Sequence, residues 1–427
     1  MSDGTLATPE VAPRQTAAKP APTQRLMSLD ALRGFDMFWI IGADELVEAL
    51  NKMAHPNGQE TGFSPIAFMA KQLGHCAWEG FHFEDLIFPL FVFMVGVSLV
   101  FSLSKTIRTE GRSVAVKRVV RRAILLFLLG LFYSGGFTNN WPDMRLLGVL
   151  NRIALCYFFA GLIFCFCDLR SMIAISIGLL VGYWALMTFV PIRDIQLDSD
   201  ALAKLAKQRG VPDVPAALFY GTTNYVTGHF EHGFNLANHL DFEYLPGRKY
   251  DTYFDPEGYL STFPAIASCL LGVFGGLLLM NPSVKDQQKV IWLIAAGLIL
   301  FNLGWLWNLQ FPVVKKIWTS SFVLVTGGCS AFLLGVFYLI VDVWKYQKWC
   351  QPFVWMGMNS ITIYMTVNIL GHGGFSRLSA RLVGGDIHDF LNNHLAGSGD
   401  LAVAVVGLLL AFWLMRFLYQ KKVFLRL

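Results

Sequence analysis

The chain has 427 residues, of which 55% are hydrophobic and only 15% charged, and its mean hydropathy is +0.50. A soluble domain carries about a quarter charged residues, so a water-soluble globular protein is excluded. The net charge of +5 calls for no nucleic-acid partner, because basic cytoplasmic loops alone give a membrane protein such a bias.

Residues 1–24 are rich in Pro, Ala and Thr without an apolar core, so they are expected to form a disordered cytoplasmic tail and not a signal peptide. Residues 25–427 then read as a single transmembrane domain of the all-α, polytopic class. Apolar runs of about twenty residues predict about ten membrane-spanning helices. They fall near 31–50, 82–104, 120–137, 143–166, 171–190, 259–280, 289–310, 318–342, 352–372 and 400–418. The first is unusually polar, with Arg33, Asp36, Asp44 and Glu45, and residues 51–80 form an amphipathic connector. An even count puts both termini on one side. The basic stretch from Lys105 to Arg122, with Arg170, Lys285, Lys289, Lys345, Lys348, Lys421 and Lys422, makes that side cytoplasmic. The long segment 191–258 and His75 are then external.

The chemistry concentrates in Gly74-His75-Cys76-Ala77-Trp78-Glu79-Gly80-Phe81-His82-Phe83-Glu84-Asp85, which leads directly into the second span. Charges at a membrane lip are costly and are usually kept for function. Histidine exchanges protons near neutral pH. The competing role is a solvated helix start, with Glu84 and Asp85 favoured by the helix dipole. Cys76 is the one cysteine placed to act as a nucleophile, with packing as its alternative. Arg145 and Arg152 lie seven positions apart, so the fourth span is predicted to turn both into the bundle, against Asp36 or Asp44. Asp255-Pro256-Glu257 reads as a capped turn before the sixth span. Lys315 and Lys316 precede the eighth span, where interface anchoring is the bland role, and Asn359 opens the polar face of the ninth. His229, His232 and His239 lack the i, i+4 spacing of a helical metal pair, so no metal is predicted.

These residues resemble a known family. Ser28-Leu29-Asp30-Ala31-Leu32-Arg33-Gly34-Phe35-Asp36 looks like the opening signature of the transmembrane acetyltransferases typified by heparan-α-glucosaminide N-acetyltransferase. The likeness continues in order through His75 to Gly80, Asp85-Leu86-Ile87-Phe88-Pro89, Arg145 to Arg152, Asp255 to Gly258, Pro312 to Trp318, Gly357-Met358-Asn359-Ser360 and Lys421-Lys422-Val423-Phe424. It covers about 25–427.

The resemblance implies a bacterial inner-membrane N-acetyltransferase that takes acetyl-CoA as co-substrate from the cytosol and acetylates an amino sugar, glucosamine-like, at the periplasmic face. The family's active-site histidine corresponds to His75, with Asp85 or Glu84 to orient the ring. Asp36, Asp44, Trp78, Arg145, Asn151, Arg152, Glu257, Lys315 and Asn359 become candidates for the acceptor site. Arg33, Arg118, Arg121, Arg122, Lys421 and Lys422 become candidates for the CoA phosphates. Three departures stand out: Val367 replaces a second histidine of the lysosomal member, segment 191–258 matches poorly, and that member's extra lumenal N-terminal portion is not expected here. The bilayer is the implied surroundings, with a homodimer left open. The rival class is a transporter of amino sugar or N-acetylglucosamine on the same fold, because midplane charges also suit a transport path.

Overall fold

The computed structural model describes residues 26–425 except 56–62, 139, 198–199, 201, 203–214 and 371–373. The expected tail at 1–24 lies outside the described residues. The described chain is an all-α membrane protein: α1 (Met27–Phe38), α2 (Asp44–Ala54), α3 (Pro65–Gln72), α4 (Glu84–Glu110), α5 (Arg112–Tyr133), α6 (Val149–Phe166) and α7 (Leu169–Phe189) come first. After them come α8 (Pro215–Gly221), α9 (Leu236–Tyr244), α10 (Thr262–Met280), α11 (Asp286–Trp307) and α12 (Ser320–Phe337). The last are α13 (Gln351–Met358), α14 (Ser360–Ile369), α15 (Gly374–Val383), α16 (Gly385–His394) and α17 (Ser398–Gln420).

Among the described residues, seven helices are long and apolar enough to cross a membrane: α4, α6, α7, α10, α11, α17, and α12 with its extension to Val343. The other three expected spans take different forms. The first is α1 and α2 joined through a π-helical segment, Trp39–Ala43, where Gly42 sits at φ +117°, a conformation open to glycine but strained for other residues. The third belongs to α5, whose N-terminal half carries Lys117, Arg118, Arg121 and Arg122. The basic stretch from Lys105 to Arg122 is therefore not a loop. It is the end of α4 and the start of α5, with the turn confined to Gly111 at φ +92°. The ninth expected span is interrupted at Asn359, between α13 and α14.

Small residues bring the central helices together. A Cβ on Gly96 of α4 would lie 2.0 Å from the Cys269 carbonyl oxygen of α10, and one on Gly272 would lie 1.9 Å from that of Phe93. Backbones this close are the usual basis of helix association in lipid, where apolar area gives no drive. Around this crossing, Val92, Leu99, Val100, Leu270 and Val273 form a fully buried core. The described residues of the 191–258 segment form a cap packed on the end of α7 and the 311–317 loop. Antiparallel pairs β1 (Ile192–Arg193) with β2 (Tyr225–Val226) and β3 (Phe230–Glu231) with β4 (Phe234–Asn235) frame it, and Leu197, Leu202, Phe219 and Phe254 fill its small core.

Candidate functional site

Asp85 organises the site. It sits in the first turn of α4 and is 1% exposed. Its Oδ2 accepts the backbone N–H groups of His82 at 3.0 Å and Cys76 at 3.3 Å, which fold the preceding loop back over the helix start. Its Oδ1 lies 3.1 Å from His75 Nδ1 and 3.3 Å from Lys315 Nζ. Lys315 Nζ is also 3.1 Å from His75 Nδ1. Residues 240 positions apart meet because the two loops are stitched together. Gly80 N–H donates to the Val313 carbonyl at 2.9 Å, and Glu79 pairs with Val314 in an antiparallel bridge. Gly80 turns there at φ +120°. Burial pulls the Lys315 amine below the ordinary lysine range, against the opposing pull of Asp85. Burial and then Asp85 push the Cys76 thiol up, which disfavours the thiolate that a nucleophilic role would need.

His75, Trp78, Glu84, Lys315 and Lys316 open into a cavity of about 340 Å³, walled deeper down by apolar residues such as Ile87, Phe88 and Phe91. Arg145, Arg152, Tyr250, Glu257 and Tyr364 complete it. The arginines do not share a helix face as expected. Arg145 lies in the extended chain before α6, because the helix begins only at Val149. Neither arginine is hydrogen-bonded or salt-bridged to Asp36 or Asp44. Arg145 donates to both oxygens of Asp255, at 2.8 and 2.7 Å, and to Glu257 at 2.6 Å. Arg152 donates to the Pro256 carbonyl at 2.9 Å and to Ser261. The turn at 255–258 thus anchors both cations, and Asp255 also caps it by accepting from Glu257 N–H at 3.1 Å. Burial works against the Arg145 guanidinium, but Asp255 and Glu257 hold its pKa above the ordinary arginine value. Burial, reinforced by Asp255, raises the Glu257 carboxyl.

A second cavity, about 480 Å³, is lined by Arg33, Ser98, Ser102, Arg122, Met358 and Phe424. Ser98 is thirteen positions beyond Asp85 on α4, about 20 Å along the helix, so this cavity lies toward the other end of the bundle. Arg33 donates to Ser98 Oγ at 2.6 Å and to the Gly357 carbonyl at 3.3 Å. Arg122 stacks on the Tyr157 ring at 4.8 Å. The two cavities share five wall residues: Phe91, Leu150, Ile153, Ser360 and Ile361.

The remaining candidates fall elsewhere. Asp36 is buried and lines neither cavity, and its carboxylate oxygens have no hydrogen-bond partner among the described residues. Asp44 also lies outside both. Asn151 donates to the Phe127 carbonyl at 3.0 Å, a helix-bridging bond between α5 and α6. Asn359 is buried at the break between α13 and α14. Arg118 bonds Thr106 and Glu110, Arg121, Lys421 and Lys422 are exposed, and none of the four lines the second cavity. Tyr250 and Tyr364 line the first cavity without having been singled out in the sequence, because lone aromatics carry no spacing signal, and Lys316, read there as an interface anchor, lines it too. Cys76, His82 and Asp85 do bring ligand atoms within 4.8 Å of one another. Both Asp85 oxygens are already engaged, one of them by an ammonium, so this set does not fit a metal ion.

Fold and site together define a multi-pass helical membrane protein with a histidine–carboxylate–lysine cluster at one mouth of its interior. No protein-family model matches the chain. It is 28% identical over 334 residues to heparan-alpha-glucosaminide N-acetyltransferase of Mus musculus, across 69% of this chain and 49% of the mouse protein. It is 26% identical over 388 residues to the Homo sapiens protein of the same name, across 82% of this chain and 55% of the human one. The chain is thus similar over most of its length to heparan-alpha-glucosaminide N-acetyltransferases, and this homology supports a place in their family. The chain spans about half the length of the relatives it matches.

Proposed function

We propose that the protein is a membrane-bound N-acetyltransferase that moves the acetyl group of cytosolic acetyl-CoA to a glucosamine-like amino sugar at the periplasmic face of the bacterial inner membrane. The observation that carries this reading is the pair of cavities with a common wall. One ends in arginines, the other at His75. CoA supplies a thioester on a slim arm and a polyanionic nucleotide that cannot enter hydrocarbon. Arg33 and Arg122 suit the phosphates at the inner mouth, and the shared wall is where the arm would pass.

At the outer mouth His75 takes the proton from the acceptor amine. Its Nδ1 faces Asp85, which leaves Nε2 as the ring nitrogen for that proton, and Asp85 stabilises the imidazolium that results. Trp78, Tyr250 and the Arg145–Glu257 pair wall the space beside His75 and serve as the acceptor platform. Arg152 has two guanidinium nitrogens without a hydrogen-bond partner among the described residues, which suits it to steadying negative charge on the carbonyl oxygen.

The test mixes purified protein, acetyl-CoA and glucosamine and follows free thiol over time. Release from wild type, reduced by about 10²-fold or more in His75→Ala, is expected for loss of a general base. No release from wild type, with sugar counterflow in vesicles that survives His75→Ala, would overturn the enzyme in favour of a transporter.

A further inference from the structure

Lys315 places a primary amine against the proposed base, at Nδ1, the ring nitrogen opposite the Nε2 assigned to the sugar amine. Its Nζ is 3.1 Å from His75 Nδ1, within hydrogen-bond reach of the proposed base, and it lines the same cavity. The loop that carries it is pinned to the histidine loop by the Gly80–Val313 bond and the Glu79–Val314 bridge, so the approach is built into the backbone. The adjacent Lys316 is differently engaged, its Nζ donating to Asp251 Oδ2 at 2.9 Å. We propose that the Lys315 side-chain amine is itself an acetyl acceptor, a site of internal N-acetylation; this rests on the acetyltransferase reading above.

The step balances without further reactants. The Lys315 ammonium gives one proton to His75 Nδ1, the nitrogen it faces, and the freed lone pair forms the new N–C bond to the acetyl carbonyl. The C–S bond breaks, CoA leaves as thiolate, and His75 returns the proton to it. The second amine proton is lost to water as the amide forms. The lowered pKa of Lys315 makes the first transfer easier than for a surface lysine.

Acetylation would also settle a conflict in the cluster. His75 Nδ1 cannot donate to Asp85 while it accepts from the Lys315 ammonium. With the ammonium converted to a neutral amide, Nδ1–H can bond Asp85 and Nε2 is left free as the base.

The experiment incubates the full-length protein in detergent with isotopically labelled acetyl-CoA and no sugar, then maps acetyl groups by peptide mass spectrometry. A parallel sample with glucosamine is followed for thiol release. The expected result is acetyl at Lys315, with labelled or unlabelled acetyl counted, little at Lys316, and a labelling rate lower by about 10²-fold in His75→Ala. His75→Gln replaces that variant if it fails to fold, and the Lys315-to-Lys316 comparison needs no variant. Thiol release with glucosamine while Lys315 stays unmodified overturns this inference and leaves the acetyltransferase standing. Equal labelling of both lysines, unchanged in the histidine variant, means uncatalysed chemistry and overturns it too. Absence of both thiol release and label defeats the acetyltransferase reading, and this inference with it.

Discussion

At the scale of single residues, two charged anchors, Asp85 and Arg145, hold the mouth at His75. Asp85 accepts from two backbone amides and faces both an imidazole and an ammonium, so its charge is needed in place as well as in kind. Asp85→Asn keeps the shape but gives up the charge and turns one acceptor into a donor. We expect acetyl transfer to fall by about 10²-fold or more, mainly in kcat, because the imidazolium loses its partner; an unchanged kcat would remove Asp85 from the mechanism. Arg145 is the second anchor. Arg145→Ala leaves Asp255 and Glu257 buried beside each other without their guanidinium. Stranding buried charges in this way costs about 3–5 kcal/mol, so thermal unfolding in detergent should drop well below wild type. Arg145→Lys, which keeps the charge but loses the fork of donors, should fall between the two.

At the scale of elements, the cap carries two buried titratable groups on α9 whose shifts oppose each other. His239 donates from Nε2 to the Ile195 carbonyl at 3.0 Å, and burial lowers its pKa to about 4. Asp241 accepts from Tyr259 N–H at 3.0 Å, and burial raises its pKa to about 7. A lowered histidine pKa gives stability that is present above its unfolded value of 6.5 and lost as pH falls toward 4. A raised aspartate pKa gives stability that is present below 3.8 and lost as pH rises through 7. The limbs offset each other in the wild type. Asp241→Asn should therefore uncover a fall in unfolding temperature on acidification, worth about 3 kcal/mol between pH 6.5 and 4. His239→Gln should uncover the opposite fall on raising the pH; parallel profiles for the two variants would contradict these assignments.

The run from Leu86 to Val100 announces α4 in the sequence, as its counterparts do for α10, α11 and α12, because an uninterrupted apolar stretch has one answer in lipid. The break at Gly42 and the turn at Asn359 are harder to see. α1 and α13 lie so close that a Cβ on Gly34 would sit 1.7 Å from the Phe353 carbonyl oxygen, and no local pattern encodes that contact. The partners of Arg145 were hidden for a related reason. A seven-residue spacing means a shared face only inside a helix, and α6 starts four residues after Arg145. His75 and Asp85 were legible as a cluster because they are close in sequence. Lys315 was legible as a charge near the membrane and, through the resemblance, as an acceptor-site candidate, but its place beside His75 depends on pairing between two distant loops.

At the scale of the whole molecule, the proposed transfer rests on what lies between the two cavities. Ile361 is shared by both, so the proposed passage would have its neck there. Ile361→Trp should abolish thiol release while leaving unfolding temperature and cap structure close to wild type; full activity in a folded Ile361→Trp would mean that the donor reaches His75 by another way. The neck has a further consequence. A protein with a mouth at each end of a bilayer risks discharging the ion gradient its host maintains. Four of the five shared residues, Phe91, Leu150, Ile153 and Ile361, are apolar. Narrow hydrocarbon-lined constrictions expel liquid water and, with it, hydrated protons and metal cations. On the proposed path, the same side chains that would let a slim organic arm through would also keep the bilayer electrically sealed when nothing is threaded.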